Sequence, residues 1–158
     1  MKYTRLTKEQ LEEMHEEFIN FLATQTITAD EWTTLKIEKP EVAEAELDVF
    51  SDLVWEGVLN KVAYLEHYSK QQIFLFKVDQ VMMSLIGIKV KNDVIDITTT
   101  EGYQWLQTNI MTDAVDIYIS EKEISEDRNK DLFALIQQGA NITNGQLYAY
   151  FNDFLNKK

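Results

Sequence analysis

Gln72-Ile-Phe-Leu-Phe-Lys-Val-Asp-Gln-Val-Met-Met-Ser-Leu-Ile-Gly-Ile-Lys-Val90 reads as two long strands meeting at Asp79-Gln80. Twelve of its nineteen residues are aliphatic, Phe or Met. Short runs rich in β-branched and aromatic side chains favour strand over helix. Folding the stretch about Asp79-Gln80 sets Val78 opposite Val81, Phe76 opposite Met83 and Phe74 opposite Leu85, so one face is wholly apolar and is expected to be the core. Because neither Asp79 nor Gln80 is Gly, a four-residue loop from Val78 to Val81 is expected rather than a tight turn. The second face, Ile73, Leu75, Lys77, Met82, Ser84, Ile86 and Ile88, is mixed. Lys77, Met82, Met83 and Ser84 mark the place to look for a pocket or a partner.

Working outward, Leu6-Thr-Lys-Glu-Gln-Leu11 carries a capping box of Thr7 and Gln10 with Leu6 and Leu11 as its hydrophobic staple. A single helix is expected from there to about Thr24, with Leu11, Met14, Phe18, Phe21 and Leu22 on its inner stripe. Thr28 and Glu31 repeat the box and open a second helix, and Pro40 or Glu41 starts a third that runs to about Lys61. Its expected buried face is Ala43, Leu47, Phe50, Val54 and Val58, with Val49 and Leu53 alongside. Val62 to Tyr68 suits either strand or helix extension and is assigned as a short strand; Val94 to Ile97 is expected as another. Thr98 with Glu101 is expected to cap a brief helix. Alternation from Ala114 to Ser120 gives a half-exposed strand. Ser125 is expected to cap a helix stopped by Gly139, and Ile142-Thr-Asn-Gly-Gln-Leu147 to lead into a last helix. The whole is a single α+β domain over residues 1–158: an antiparallel sheet of about four strands, three helices before it and two after.

The formal net charge is −12 and is uneven. Up to Glu66 there are 15 Asp/Glu against 6 Lys/Arg, −9; beyond it 12 against 9, −3. Such a surface opposes nucleic acid and anionic lipid, which need clustered cations, and suits a basic protein partner. The amino terminus shows no signal-peptide pattern, and no apolar run is of membrane-spanning length. With no Cys there is no disulfide or thiolate chemistry, and a cytoplasmic location is expected.

Catalytic signatures are missing. The serines lie in no Gly-x-Ser-x-Gly elbow, and the five glycines form no phosphate cradle. Glu12-Glu-Met-His15 has a Glu-x-x-His spacing that on one helix would stack both side chains, but di-iron bundles need it twice and His67 lacks it. No residue is therefore assigned a catalytic, cofactor-binding or metal-ligating role. Three readings follow: a noncatalytic acidic interaction module for a basic protein surface, with aromatics adding affinity; a small-ligand binder or enzyme with a pocket between sheet and helices; and a carboxylate/histidine metal protein using Glu12 and His15. The sequence sets no oligomeric state.

The blocks Lys2-Tyr-Thr-Arg-Leu-Thr-Lys-Glu-Gln-Leu11, Phe18-Ile-Asn-Phe-Leu-Ala-Thr-Gln25, Ile27-Thr-Ala-Asp-Glu-Trp32 and Glu46-Leu-Asp-Val-Phe-Ser-Asp-Leu-Val-Trp55 give the chain a full-length resemblance to a family of small bacterial proteins of unknown function. That resemblance implies no activity, cofactor or site residue.

Overall fold

A computed structural model describes residues 1–157, which divide into two compact units, the first Met1–Asn60 and the second starting at Lys61. The first is helical: α1 (Lys8–Glu13), α2 (His15–Thr24), α3 (Ala29–Glu38) and α4 (Pro40–Asn60). Both capping boxes form as the sequence predicts, Thr7 with Gln10 and Thr28 with Glu31. The expected first helix is broken, because Met14 takes φ −102° and ψ 27° and ends α1 before α2 begins. The core is Leu6, Phe18, Phe21, Leu22 and Phe50, with Trp32 packed edge-on to Phe18 at 5.1 Å.

The stretch before α1 is extended and tied along α4. Lys2 and Tyr3 donate their backbone N–H groups to the Asp52 carboxylate, Arg5 bonds Asp48 at 2.6 Å, and Leu6 N–H reaches the fully buried Ser51 hydroxyl. The buried stripe of α4 is narrower than expected. Ala43 and Phe50 are buried, but Val49, Leu53 and Val58 are exposed.

The second unit holds β1 (Tyr64–Tyr68), β2 (Gln72–Val78), β3 (Met82–Val90), α5 (Thr100–Asn109), β4 (Val115–Glu123), α6 (Arg128–Gln137), β5 (Asn141–Thr143) and α7 (Gln146–Asn156). The five strands form one antiparallel sheet in the order β4-β3-β2-β1-β5. Among the described residues the architecture is α+β with seven helices and five strands, against the six helices, one of them interposed in the sheet, and the roughly four strands expected. Tyr64–Tyr68 is a strand, as assigned, whereas Val94–Ile97 is not. Gln71 Nε2 holds the carbonyls of Asp93 and Ile95, and Ile95 N–H turns back to Asn92, so the segment is curled rather than laddered. The fifth strand is Asn141–Thr143, which pairs with Tyr64–Glu66 in residues the sequence reading gave to a helix cap.

The central hairpin differs in two ways. Asp79 N–H donates to Met82 C=O, so the loop is Gln80-Val81 and every partner moves by two: Val78 faces Met83, Phe76 faces Leu85 and Phe74 faces Gly87. A shift of two preserves which residues share a face. The better-covered face, however, is the mixed one, not the Phe74 face expected to be the core. Ile73, Leu75, Ile86 and Ile88 are buried beneath Leu106 and Ile110 of α5 and its end, and beneath Tyr148 and Phe151 of α7. On the opposite face Phe74, Phe76 and Leu85 are only half-buried. Lys77 shares the covered face near the end of β2, opposite Tyr64, and is exposed.

Cap assignments shift by one or two residues. Thr99, not Thr98, caps α5 by accepting from Gly102 N–H. Gly102 is required there, since a Cβ would lie 1.7 Å from the Asp96 carbonyl oxygen. Asp127, not Ser125, caps α6, and Gly139 at φ 113° follows its end.

Candidate functional site

Alternation along β1 sends Tyr64, Glu66 and Tyr68 to the face that α5 and α7 cover, and Leu65 and His67 to the other. Glu66 is 6% exposed, a carboxylate buried in the middle of a sheet. Burial without a partner would cost several kcal/mol, so its contacts decide its character. The Tyr68 hydroxyl donates to Glu66 Oε1. Tyr103 of α5 lies within electrostatic range: burial first, then Tyr150 and Glu66, hold its phenol above the usual tyrosine range. Tyr64 packs on Tyr148 with centroids 5.8 Å apart, and Tyr150 meets Phe151 edge-on at 5.0 Å. The outcome is one carboxylate among phenols, able to accept hydrogen bonds from a polar or cationic group and already accepting one from the chain.

His67 does not join it. Its ring is 6.3 Å from Phe74 on the opposite face, and a Cβ on Gly139 would meet its Nε2 at 3.0 Å. Glu12 and His15 fare no better as a pair, because the break at Met14 places them on successive helices and removes the one-helix stacking that motivated them. Among the described residues no three His, Asp or Glu side chains gather as metal ligands.

Clefts flank several elements. One of about 580 Å³ opens between β4 and α6, with Met83, Ile124 and Leu135 as apolar lining and Lys122, Glu123 and Asp131 as charged lining. A second, about 390 Å³, lies at the β1–β2 turn among Ser69, Gln71, Gln72, Lys89 and Lys91. A third, about 320 Å³, runs along α3 past Asp30, Glu31, Leu35 and Glu38. Lys77 and Ser84 line none of these, while Met83, singled out with them, lines the one beside α6. The sequence reading missed Glu66, although Tyr64-Leu-Glu66-His-Tyr68 carries a signal: once β1 is a strand, period two puts the acid between two tyrosines.

Fold and side-chain layout define an α+β protein with an antiparallel five-stranded sheet and no described helix long and apolar enough to cross a membrane. The chain belongs to a family of unknown function, DUF6495, whose model matches residues 1–156. No curated protein and no solved structure matches it.

Proposed function

We propose that this protein is a noncatalytic interaction module whose amino-terminal helical unit receives a basic protein surface. Residues 1–60 hold 14 Asp/Glu against 5 Lys/Arg, −9 of the total −12. Asp48 and Asp52 hold the chain's own first residues, and the acids left for a partner include Glu12, Glu13, Glu16 and Glu17 on α1 and α2 and Glu41 and Glu44 on α4, all exposed. Charge of this kind speeds encounter and sets orientation, whereas affinity needs apolar contact.

The observation that carries the reading is an apolar stripe on α4. Val42, Val49 and Leu53, at helical spacings of seven and four, share one face and are 38%, 49% and 56% exposed. This stripe replaces the expected aromatic anchors, since Trp32 and Trp55 pack against the helical core. Affinity capture from native lysate with the wild type and a Val49→Ser/Leu53→Ser variant tests it, at about 50 and about 500 mM salt, where screening lengths differ roughly threefold. A partner held at low salt, released at high salt and lost from the variant supports the proposal. Failure to find any partner with both sensitivities overturns it.

A second reading, a small-ligand binder, draws support from the 580 Å³ cleft beside α6, which has the volume and the mixed lining of ligand sites. A thermal-shift screen against metabolites, repeated with Leu135→Trp to fill the cleft, separates the two. A flat screen counts against the ligand reading alone.

A further inference from the structure

We infer that the outer edge of β4 is a self-association surface, through which two copies of this chain join their sheets antiparallel about a two-fold axis at Ile119. The sheet has two edges of different character. β5 is three residues long, and shortness itself protects an edge. β4 runs nine residues, Val115–Glu123, with only β3 beside it, no Pro, and an unbroken register from Val115↔Val90 to Glu123↔Met82 that leaves no bulge. Long, regular, uncovered edges are templates for another strand.

Which backbone groups point outward follows from the ladder. Lys91 N–H donates to Ala114 C=O at 2.9 Å and Ile124 N–H to Val81 C=O at 2.7 Å, so the even-numbered residues of β4 bond β3. Ile117, Ile119 and Glu121 therefore turn both N–H and C=O to the free edge, and no described residue meets their N–H groups. Side chains at this edge are open too, Ile119 being 62% and Tyr118 44% exposed. Asp116, Glu121, Lys122 and Glu123 charge the two ends of β4, but Ile117 to Ser120 at its middle carry no charge to block the edge.

Self-pairing about a two-fold axis perpendicular to the sheet sets each residue opposite one of the same parity. Overlap of all nine residues requires the axis at Ile119. Outward-facing residues then meet as hydrogen-bonded pairs, Ile119 with its own copy and Ile117 with Glu121. Between them fall the closer non-hydrogen-bonded pairs, where side chains interact most strongly: Tyr118 with Ser120, and Asp116 with Lys122, twice. Moving the axis to residue 118 opposes Asp113 to Glu123, and moving it to residue 120 sets Asp116 against Ile124. The register of greatest overlap is thus also the one that pairs acid with base.

The test is the molar mass of the full chain by light scattering and sedimentation over a micromolar concentration series, at about 150 mM salt so that long-range repulsion is screened. The wild type is expected to approach twice 18.5 kDa as concentration rises. Ile119→Lys, which sets two ammonium groups at the axis, and the single reversals Asp116→Lys and Lys122→Asp should each raise the dissociation constant about tenfold or more. Asp116 also pairs with Lys91 of its own chain at 3.1 Å, so Asp116→Lys and the double variant Asp116→Lys/Lys122→Asp lose that contact alike. The double variant should associate more tightly than Asp116→Lys alone, because only it restores opposite charges across the axis. All substituted side chains are exposed, and circular dichroism confirms that each variant is folded. A wild type that stays at 18.5 kDa, a dimer indifferent to these changes, or a double variant no tighter than Asp116→Lys overturns the inference.

Discussion

The helical unit and the sheet unit solve different problems with the same chain. Residues 1–60 are organised by contacts close in sequence: Thr7 caps with Gln10, Thr28 with Glu31, and core residues recur at three and four along α2 and α4. Residues 61–157 are organised by distant pairs, such as Val90 with Val115 and Leu65 with Ile142. Local contacts leave a periodic trace that reads directly, whereas a sheet's register and the face its helices choose depend on geometry far along the chain.

The strongest way to break the second arrangement is Phe151→Ala. Its ring is 1% exposed beneath the sheet, and truncation should cost about 3–5 kcal/mol, read as a fall in denaturant midpoint. Loss of much less than this would mean α7 does not hold the Ile73/Ile88 face.

Next comes one substitution made in each unit. Gly102→Ala should destabilise by about 1–3 kcal/mol or more, because the new methyl must displace the Asp96 carbonyl 1.7 Å away. Gly57→Ala, on the exposed side of α4 with nothing within 4 Å, should stabilise by about 0.5–1 kcal/mol through helix propensity alone. Equal effects from the two would erase the contrast between a glycine set by tertiary contact and one that is not.

These glycines show where sequence reasoning stops. By helix propensity alone Gly102 is a weakness in α5, and nothing near it in sequence shows the Asp96 carbonyl, six residues back, that requires it. The hairpin strands were legible from composition, and their face membership survived a wrong turn centre because the error was even. The choice of covered face was not legible, since both faces are apolar near Phe74 and Leu75 and only the placement of Leu106, Ile110 and Phe151 decides between them. Asn141–Thr143 escaped because three residues are too few to show period two. Glu66 escaped until β1 had a phase, after which its flanking tyrosines make its environment plain.

Thr28→Ala probes the local side of the comparison. It removes the acceptor for Glu31 N–H and should cost about 1 kcal/mol, detectable as lost amide protection over the first turn of α3. Thr99→Ala removes the equivalent acceptor for Gly102 N–H in the sheet unit, and a matching cost would show that caps act alike in both settings.

The smallest effect is the acid dependence of the tether along α4. The Arg5 guanidinium, bonded to Asp48, holds that carboxyl below its usual range. A folded value below the unfolded one means the pair stabilises at neutral pH, and the contribution disappears as pH falls through the folded value. Both groups are partly exposed, at 37% and 30%, so solvent screening keeps the gain below that of a cap. Asp48→Asn should therefore be less stable than the wild type near neutrality and indistinguishable from it once Asp48 is protonated. A difference that persists unchanged into acid would show that Asp48 acts through packing rather than charge. The first residues would then be held by Asp52 and Ser51, whose bonds to the Lys2, Tyr3 and Leu6 N–H groups do not involve Arg5.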